Sequence, residues 1–178
     1  SAKAVADGLV SKDKLNQTMG TIITKTNHMN ELVNRLLVFS KLESPDYHLQ
    51  QQKIDLSELL REVLLEHLDL AEKNQIDMII DLTDDPLEII GDPIELRRVF
   101  DNLIGNSIQH NSANTTVQIR LYPLNNQVIL EIKDNGNPIP KELQEHLFEP
   151  FVSGDSSRTT KNGSGLGLAI SKKIVEKH

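Results

Sequence analysis

Two asparagines, Asn102 and Asn106, stand four residues apart in a stretch with helical periodicity, so both amides leave one face of the helix. An Asn carbonyl oxygen can coordinate Mg²⁺ without adding negative charge beside a triphosphate. Further on, Asp134-Asn135-Gly136 follows a strand-like run. A carboxylate there could accept a hydrogen bond from an adenine amine, with Gly136 allowing the ring to come close. Gly163-Ser164-Gly165-Leu166-Gly167 opens a helix, and unpaired N–H groups at a glycine-lined helix start suit a phosphate. The Lys-Ser/Thr ending of a Walker A loop is missing, and the glycine spacing is not that of a dinucleotide fingerprint. Between these lies Leu147-Phe148-Glu149-Pro150-Phe151, a small apolar latch. It precedes the polar stretch from Val152 to Asn162, which carries Arg158 and Lys161 and is flanked by Gly154 and Gly163. Each motif alone has a plainer reading, as solvated amides, a turn, a latch or a flexible helix start.

These residues must be held by a mixed set of elements. Asp92-Pro93-Ile94-Glu95 predicts a helix start, with Asp as N-cap, Pro first and Glu closing a capping box; the helix runs to about His110. Leu103, Ile104 and Ile108 would anchor it on a face other than that of the two asparagines. Asp55-Leu56-Ser57-Glu58 opens an amphipathic helix through Leu56, Leu59, Leu60, Val63, Leu64 and Leu68. Ile76–Leu82 and Leu87–Ile90 read as strands, and Val117–Tyr122 and Val128–Lys133 as a hairpin about Asn125-Asn126. A short helix from Pro140 and a last one from about Gly165 complete an α+β, two-layer arrangement.

The first third is different. Leu15, Met19, Ile22, Thr26, Met29, Val33, Leu36 and Ser40 step by fours and threes, the narrow heptad stripe of a bundle seam, until Ser44-Pro45-Asp46 stops the helix. Ala2 to Val10 reads as the tail of a partner helix in an antiparallel hairpin. The division expected is a partial helical hairpin over 1–45 and an α+β domain over 46–178.

Composition narrows the partners. A net charge of −7 argues against a phosphate-backbone binder, and 3% aromatics without Trp against a stacking platform for single strands. The chain has no Cys for a thiolate metal site, and its six His lack zinc spacing. No apolar run is long enough to cross a bilayer.

Taken in order, Asn102-Leu-Ile-Gly-Asn106, Asp134-Asn-Gly136, Phe148-Glu-Pro-Phe151 and Gly163-Ser-Gly165-Leu-Gly167 closely resemble the boxes of the GHKL ATP-binding family, and within it the sensor histidine kinases. The resemblance covers about Ile54 to the end. Met29 to Ser44 is similar to the second helix of the family's dimerisation stem. The resemblance implies a GHKL-type α/β sandwich that binds ATP and Mg²⁺. Asn106 would be the main metal ligand, with Asn102 assisting at metal or phosphates. Asp134 and Gly136 would hold adenine. Gly163, Gly165, Leu166 and Gly167 would form the phosphate turn, and Arg158 and Lys161 would supply charge from a mobile lid. It further implies a homodimer through the stem, a response regulator as partner and a cytoplasmic location, with membrane attachment only through upstream segments. GHKL ATPases carry Glu at position 102 to activate water; Asn cannot act as a base, which favours transfer to a protein over hydrolysis.

Three departures stand out. Pro138 occupies a position that is usually Gly, Gln109 one that is often Lys, and no His stands in the acceptor pattern of His, acidic residue and later Pro. His28 precedes Met29 and His67 precedes Leu68. No catalytic acceptor is therefore assigned within the chain, and the family's acceptor would lie just upstream of Ser1. Similar kinases also continue past the last helix into strands that complete the sheet. These departures leave open a non-catalytic module that dimerises and binds nucleotide, beside the less favoured GHKL ATPase.

Overall fold

The computed structural model describes residues 12–152 and 164–178. The chain divides into two compact units between Val38 and Phe39, within the long helix α1, Lys12–Glu43. In the first unit, Met19, Ile22, Met29, Val33 and Leu36 are each about half exposed or more (48–63%), so the heptad stripe finds no cover among the described residues. The expected partner helix, Ala2 to Val10, lies outside the described residues.

The second unit holds β1 (Gln52–Asp55), α2 (Leu56–Lys73), β2 (Asp77–Leu82), β3 (Glu88–Gly91), α3 (Pro93–Gln109), β4 (Thr116–Leu124), β5 (Gln127–Asp134), α4 (Lys141–Gln144) and α5 (Gly167–Lys177). β1 and β3 form an antiparallel pair, and β2-β4-β5 a second sheet with β4 central, parallel to β2 and antiparallel to β5. Alternation sorts the second sheet's faces. Val117, Ile119 and Leu121 are buried, while the opposite face carries the ion-paired row Asp81–Arg120–Glu131–Lys133. The buried face meets the helical layer, with Leu60, Val63 and Leu64 from α2, Val99, Phe100, Ile104 and Ile108 from α3, and Ile170 and Ile174 from α5. The two-layer expectation holds. α3 is the central helix, packed on α2 and α5 and reaching β5.

Local chemistry explains the boundaries. Asn125 and Asn126 both have positive φ (51° and 75°), the geometry of a two-residue primed turn that Asn tolerates. Asp55 caps α2 by accepting from the Ser57 amide at 3.0 Å. Strand β1 was not read from the sequence, because Gln52-Lys53-Ile54-Asp55 lacks β-branched or aromatic content apart from Ile54. Leu68 is 44% exposed, and it is His67 that turns toward α3, its ring beside Gly105.

The start of α3 corrects the capping-box expectation. Asp92 is the N-cap, accepting from the amides of Ile94 and Glu95, but Glu95 does not close a box. The Asp92 N–H donates to His178 Nε2 at 2.9 Å, and buried Glu95 accepts from the Tyr47 hydroxyl at 2.9 Å and from Arg98 Nε at 3.1 Å. Asp92 Oδ2 also accepts from the Gln50 amide at 2.8 Å. A carbonyl can only accept, so His178 Nδ1, 2.8 Å from the Ile174 oxygen, carries the ring proton and leaves Nε2 free to accept. The connecting segment before β1, the N-terminus of α3 and the end of α5 thus converge on two buried carboxylates.

Two predictions follow from this junction. Asp92→Ala removes a cap and strands amides it satisfied, and should lower stability by about 2 kcal/mol, with Asp92→Asn milder, as read by denaturant unfolding. Burial, then the hydrogen bond to Glu95 and its charge, push the Tyr47 phenol up to about 12. An unfolded Tyr ionises near ~10, so this stabilisation is complete below about pH 10 and is lost as pH rises through about 12. Tyr47→Phe should remove one late step from the phenolate absorbance titration and flatten that part of the stability profile.

Candidate functional site

α3 carries the two asparagines, and its burial fixes them. Ile104, Gly105 and Ile108 are buried, leaving Asn102 and Asn106 half-buried; Leu103, expected in the core, is only half-buried. The amide nitrogen of Asn102 donates to the Gly167 carbonyl and to Ser171 Oγ, both at 3.3 Å, and so joins α3 to the first turn of α5. The Asn106 side chain makes no hydrogen bond to another described residue.

The turn after β5 is built on its own side chains. Asp134 Oδ1 accepts from the Gly136 amide at 3.0 Å, and Asn135 Oδ1 accepts from the Thr116 amide at 2.8 Å. A Cβ on Gly136 would come within 1.8 Å of Asn111 Oδ1. Asn111 in turn donates to the Ser107 carbonyl at 2.9 Å. Gly136 therefore seats the turn against the end of α3, and this brings Asp134 to the helix that carries Asn106. Asn111 was missed in the sequence, where it opened a polar stretch; its position one residue past the helix cap was the available signal. Asp134 is exposed, with one carboxylate oxygen in the turn.

The glycine turn has a specific backbone need. Gly165 has φ +66°, and a Cβ there would meet the backbone of Phe151 and Val152 at 2.7–2.8 Å. Its carbonyl accepts from the Phe151 amide at 2.8 Å, while Phe151 itself has φ +67°, unusual for a bulky residue. Ser164 Oγ accepts from the Leu166 amide at 3.2 Å, and Leu166 is 1% exposed, a packing anchor. α5 begins at Gly167 without a side-chain cap, so its first turn offers N–H groups to an anion. Arg158, Lys161 and Gly163 lie outside the described residues.

Asn102 and Gly167 are thus brought together at the α3–α5 contact, with Asn106 one turn along α3 and the Asp134–Gly136 turn against the end of that helix. No cluster of three or more His, Cys, Asp or Glu fit for a metal exists among the described residues. A cation at Asn106 would rely on ligand oxygens and water, the habit of Mg²⁺ on a nucleotide. His67 is turned into the α2–α3 contact: its Nδ1 lies 2.9 Å from the Val63 carbonyl, its ring stands beside Gly105 and its side chain is 15% exposed.

Residues 91–178 match the family described as histidine kinase-, DNA gyrase B-, and HSP90-like ATPase. The chain is 34% identical over 167 residues to the sensor histidine kinase RppB of Synechocystis, covering 93% of this chain and 37% of that protein. The chain spans about a third of the length of the curated relatives it matches. The solved catalytic domain of histidine kinase ThkA is 30% identical with a TM-score of 0.63, covering 72% of this chain and 81% of that one. ThkA has also been solved in complex with response regulator protein TrrA (25% identity, TM-score 0.72, 94% of this chain and 46% of that one). The Acinetobacter baumannii histidine kinase AdeS shares the fold at a TM-score of 0.77 and 23% identity, covering 99% of this chain and 80% of that one. By its motifs, its fold and these relatives, the chain belongs to the sensor histidine kinases and comprises their ATP-binding catalytic domain with a helical segment before it.

Proposed function

We propose that this region binds Mg-ATP and delivers the γ-phosphate to a histidine on a dimeric helical stem, for relay to a response regulator. Asn106 would hold the metal, the N–H groups opening α5 would receive phosphate oxygens, and Asp134 would accept from the adenine amine. Bound Mg²⁺ supplies neutralisation of the phosphate charge. Phosphoryl transfer depends mainly on positioning and charge, which these groups provide. Arg158 and Lys161 would supply positive charge, as the family resemblance implies.

The observation that carries this reading over hydrolysis is Asn102, whose amide is bonded to α5 at a position where a water-activating base would be a carboxylate. An amide is no base, so the γ-phosphate awaits a protein nucleophile. No helix among the described residues is long and apolar enough to cross a membrane, and attachment to one would come through other segments of the parent protein. The half-exposed heptad stripe of α1 supports self-association through the stem. The regulator partnership follows the ThkA complex.

Binding of a fluorescent ATP analogue should require Mg²⁺ for most of its affinity, and Asn106→Ala should remove most of that Mg²⁺-dependent part. With γ-labelled ATP, the chain alone should gain no acid-labile, base-stable label, whereas an acceptor-containing stem added in trans should become labelled. Stoichiometric label on His28 would contradict this assignment, and steady phosphate release without an acceptor would favour an ATPase.

A further inference from the structure

Asp134 is exposed, so the direction of its carboxylate depends on the turn that carries it. Its Oδ1 accepts from the Gly136 amide at 3.0 Å, which ties the carboxylate to the position of that glycine. The turn is held from two sides. On one, Asn135 brackets Thr116 at the start of β4: its Oδ1 accepts from the Thr116 amide at 2.8 Å, and its own amide donates to the Thr116 carbonyl at 3.3 Å. On the other stands Asn111, half-buried and one residue past the cap of α3. The Ser107 carbonyl can only accept, so the Asn111 atom 2.9 Å from it is the NH₂, and Oδ1 is the atom that faces Gly136. The Gly136 N–H is already given to Asp134, and Asn111 Oδ1 stands close to where a Cβ of residue 136 would be.

We propose that Asn111 is a positioning residue for base selection: by bracing Gly136 from the end of α3, it sets where the Asp134 carboxylate meets a 6-amino purine. This rests on the Mg-ATP reading above and concerns the base, not the metal or the phosphates. A turn bonded only to β4 is free to rock on the sheet. A stop from α3 removes that freedom and refers the turn to the helix that bears Asn106. Asparagine suits the task because its NH₂ grips the last turn of α3 while its compact oxygen abuts the glycine. The oxygen's contact with Gly136 is weak in itself, but a hydrogen bond weakens steeply as its angle departs from linear. A displaced Gly136 would therefore cost the amine contact at Asp134 and leave contacts elsewhere on the nucleotide intact.

Two nucleotides read this role: ATP, and purine riboside triphosphate, which lacks the 6-amino group. Each should be competed against the fluorescent ATP analogue, in Mg²⁺, on the unsubstituted chain, Asn111→Ala, Asp134→Ala and the Asn111→Ala/Asp134→Ala pair. Thermal melts should accompany each to confirm folding. The unsubstituted chain is expected to prefer ATP by about tenfold, the contribution of a hydrogen bond to a charged group. Asn111→Ala should weaken ATP by roughly fivefold and purine riboside triphosphate by less than about twofold, a selective loss that general damage to the site would not produce. Asp134→Ala should abolish the preference, and adding Asn111→Ala should then change neither affinity further. Failure of the unsubstituted chain to bind either nucleotide would overturn the function itself. Equal binding of the two by that chain would overturn the adenine contact at Asp134 and this inference with it. Equal losses for both nucleotides in Asn111→Ala, or an unchanged preference, would overturn only the positioning role. If Asn111→Ala fails to fold, Asn111→Ser, which also lacks the carbonyl oxygen, decides on the same two nucleotides.

Discussion

The carboxylate of Asp92, 3% exposed, sets where α3 begins, and the rest of the domain is arranged around that helix. Its two oxygens serve the amides of Ile94, Glu95 and Gln50, and its own N–H is taken by His178. A buried carboxylate is tolerated only when satisfied in this way. The arrangement converts that requirement into a geometric constraint: the segment before β1 and the end of α5 must both come to the N-terminus of α3. The first turn of α5 is then held to the middle of α3 by packing and by Asn102. α5 is thereby fixed at both ends relative to the helix that bears Asn106, which is what a site shared between two helices needs.

Much of this could be read from residue order, for reasons that are local. Asp92-Pro93 and Asp55 declare helix starts because capping is short-range chemistry, and Asn125-Asn126 declares a hairpin because few residues accept positive φ. The motif glycines were legible as a group, but the structure gives them different duties. Gly165 is required by its φ and by the Phe151 backbone, and Gly136 by the side chain of Asn111. Long-range pairings were not legible. Nothing beside Glu95 in the chain announces Tyr47 as its partner, 48 residues away, nor His178 as the acceptor for Asp92, 86 residues away. The short polar strand β1 escaped for a related reason, since its conformation is set by pairing with β3 and not by its own composition.

The same separation of local and distant information applies to the site. Residue types at 102, 106 and 134 point to a nucleotide, but only the α3–α5 contact shows that the Asn102 NH₂ is bonded to Gly167 and Ser171. Electrostatics agree with the nucleotide reading. α3 offers neutral amides toward α5, whereas its carboxylate Asp101 is grouped with Arg97 and His67 beside α2. A triphosphate would thus meet helix-terminal N–H groups and uncharged oxygens from α3, a setting that does not repel it. The β5 edge has no strand beyond it among the described residues, and its apolar residues Leu130 and Ile132 remain half-buried. Coverage of that edge bears on how firmly the Asp134 turn is held.

The most direct test of the account is a crystal structure of this chain with Mg²⁺ and a non-hydrolysable ATP analogue. The expected result is Mg²⁺ held at Asn106, phosphate at the first turn of α5, and the adenine amine on Asp134. Asn102 would still be bonded to Gly167 and Ser171. A metal held away from Asn106, or a nucleotide bound away from the α3–α5 contact, would contradict this reading.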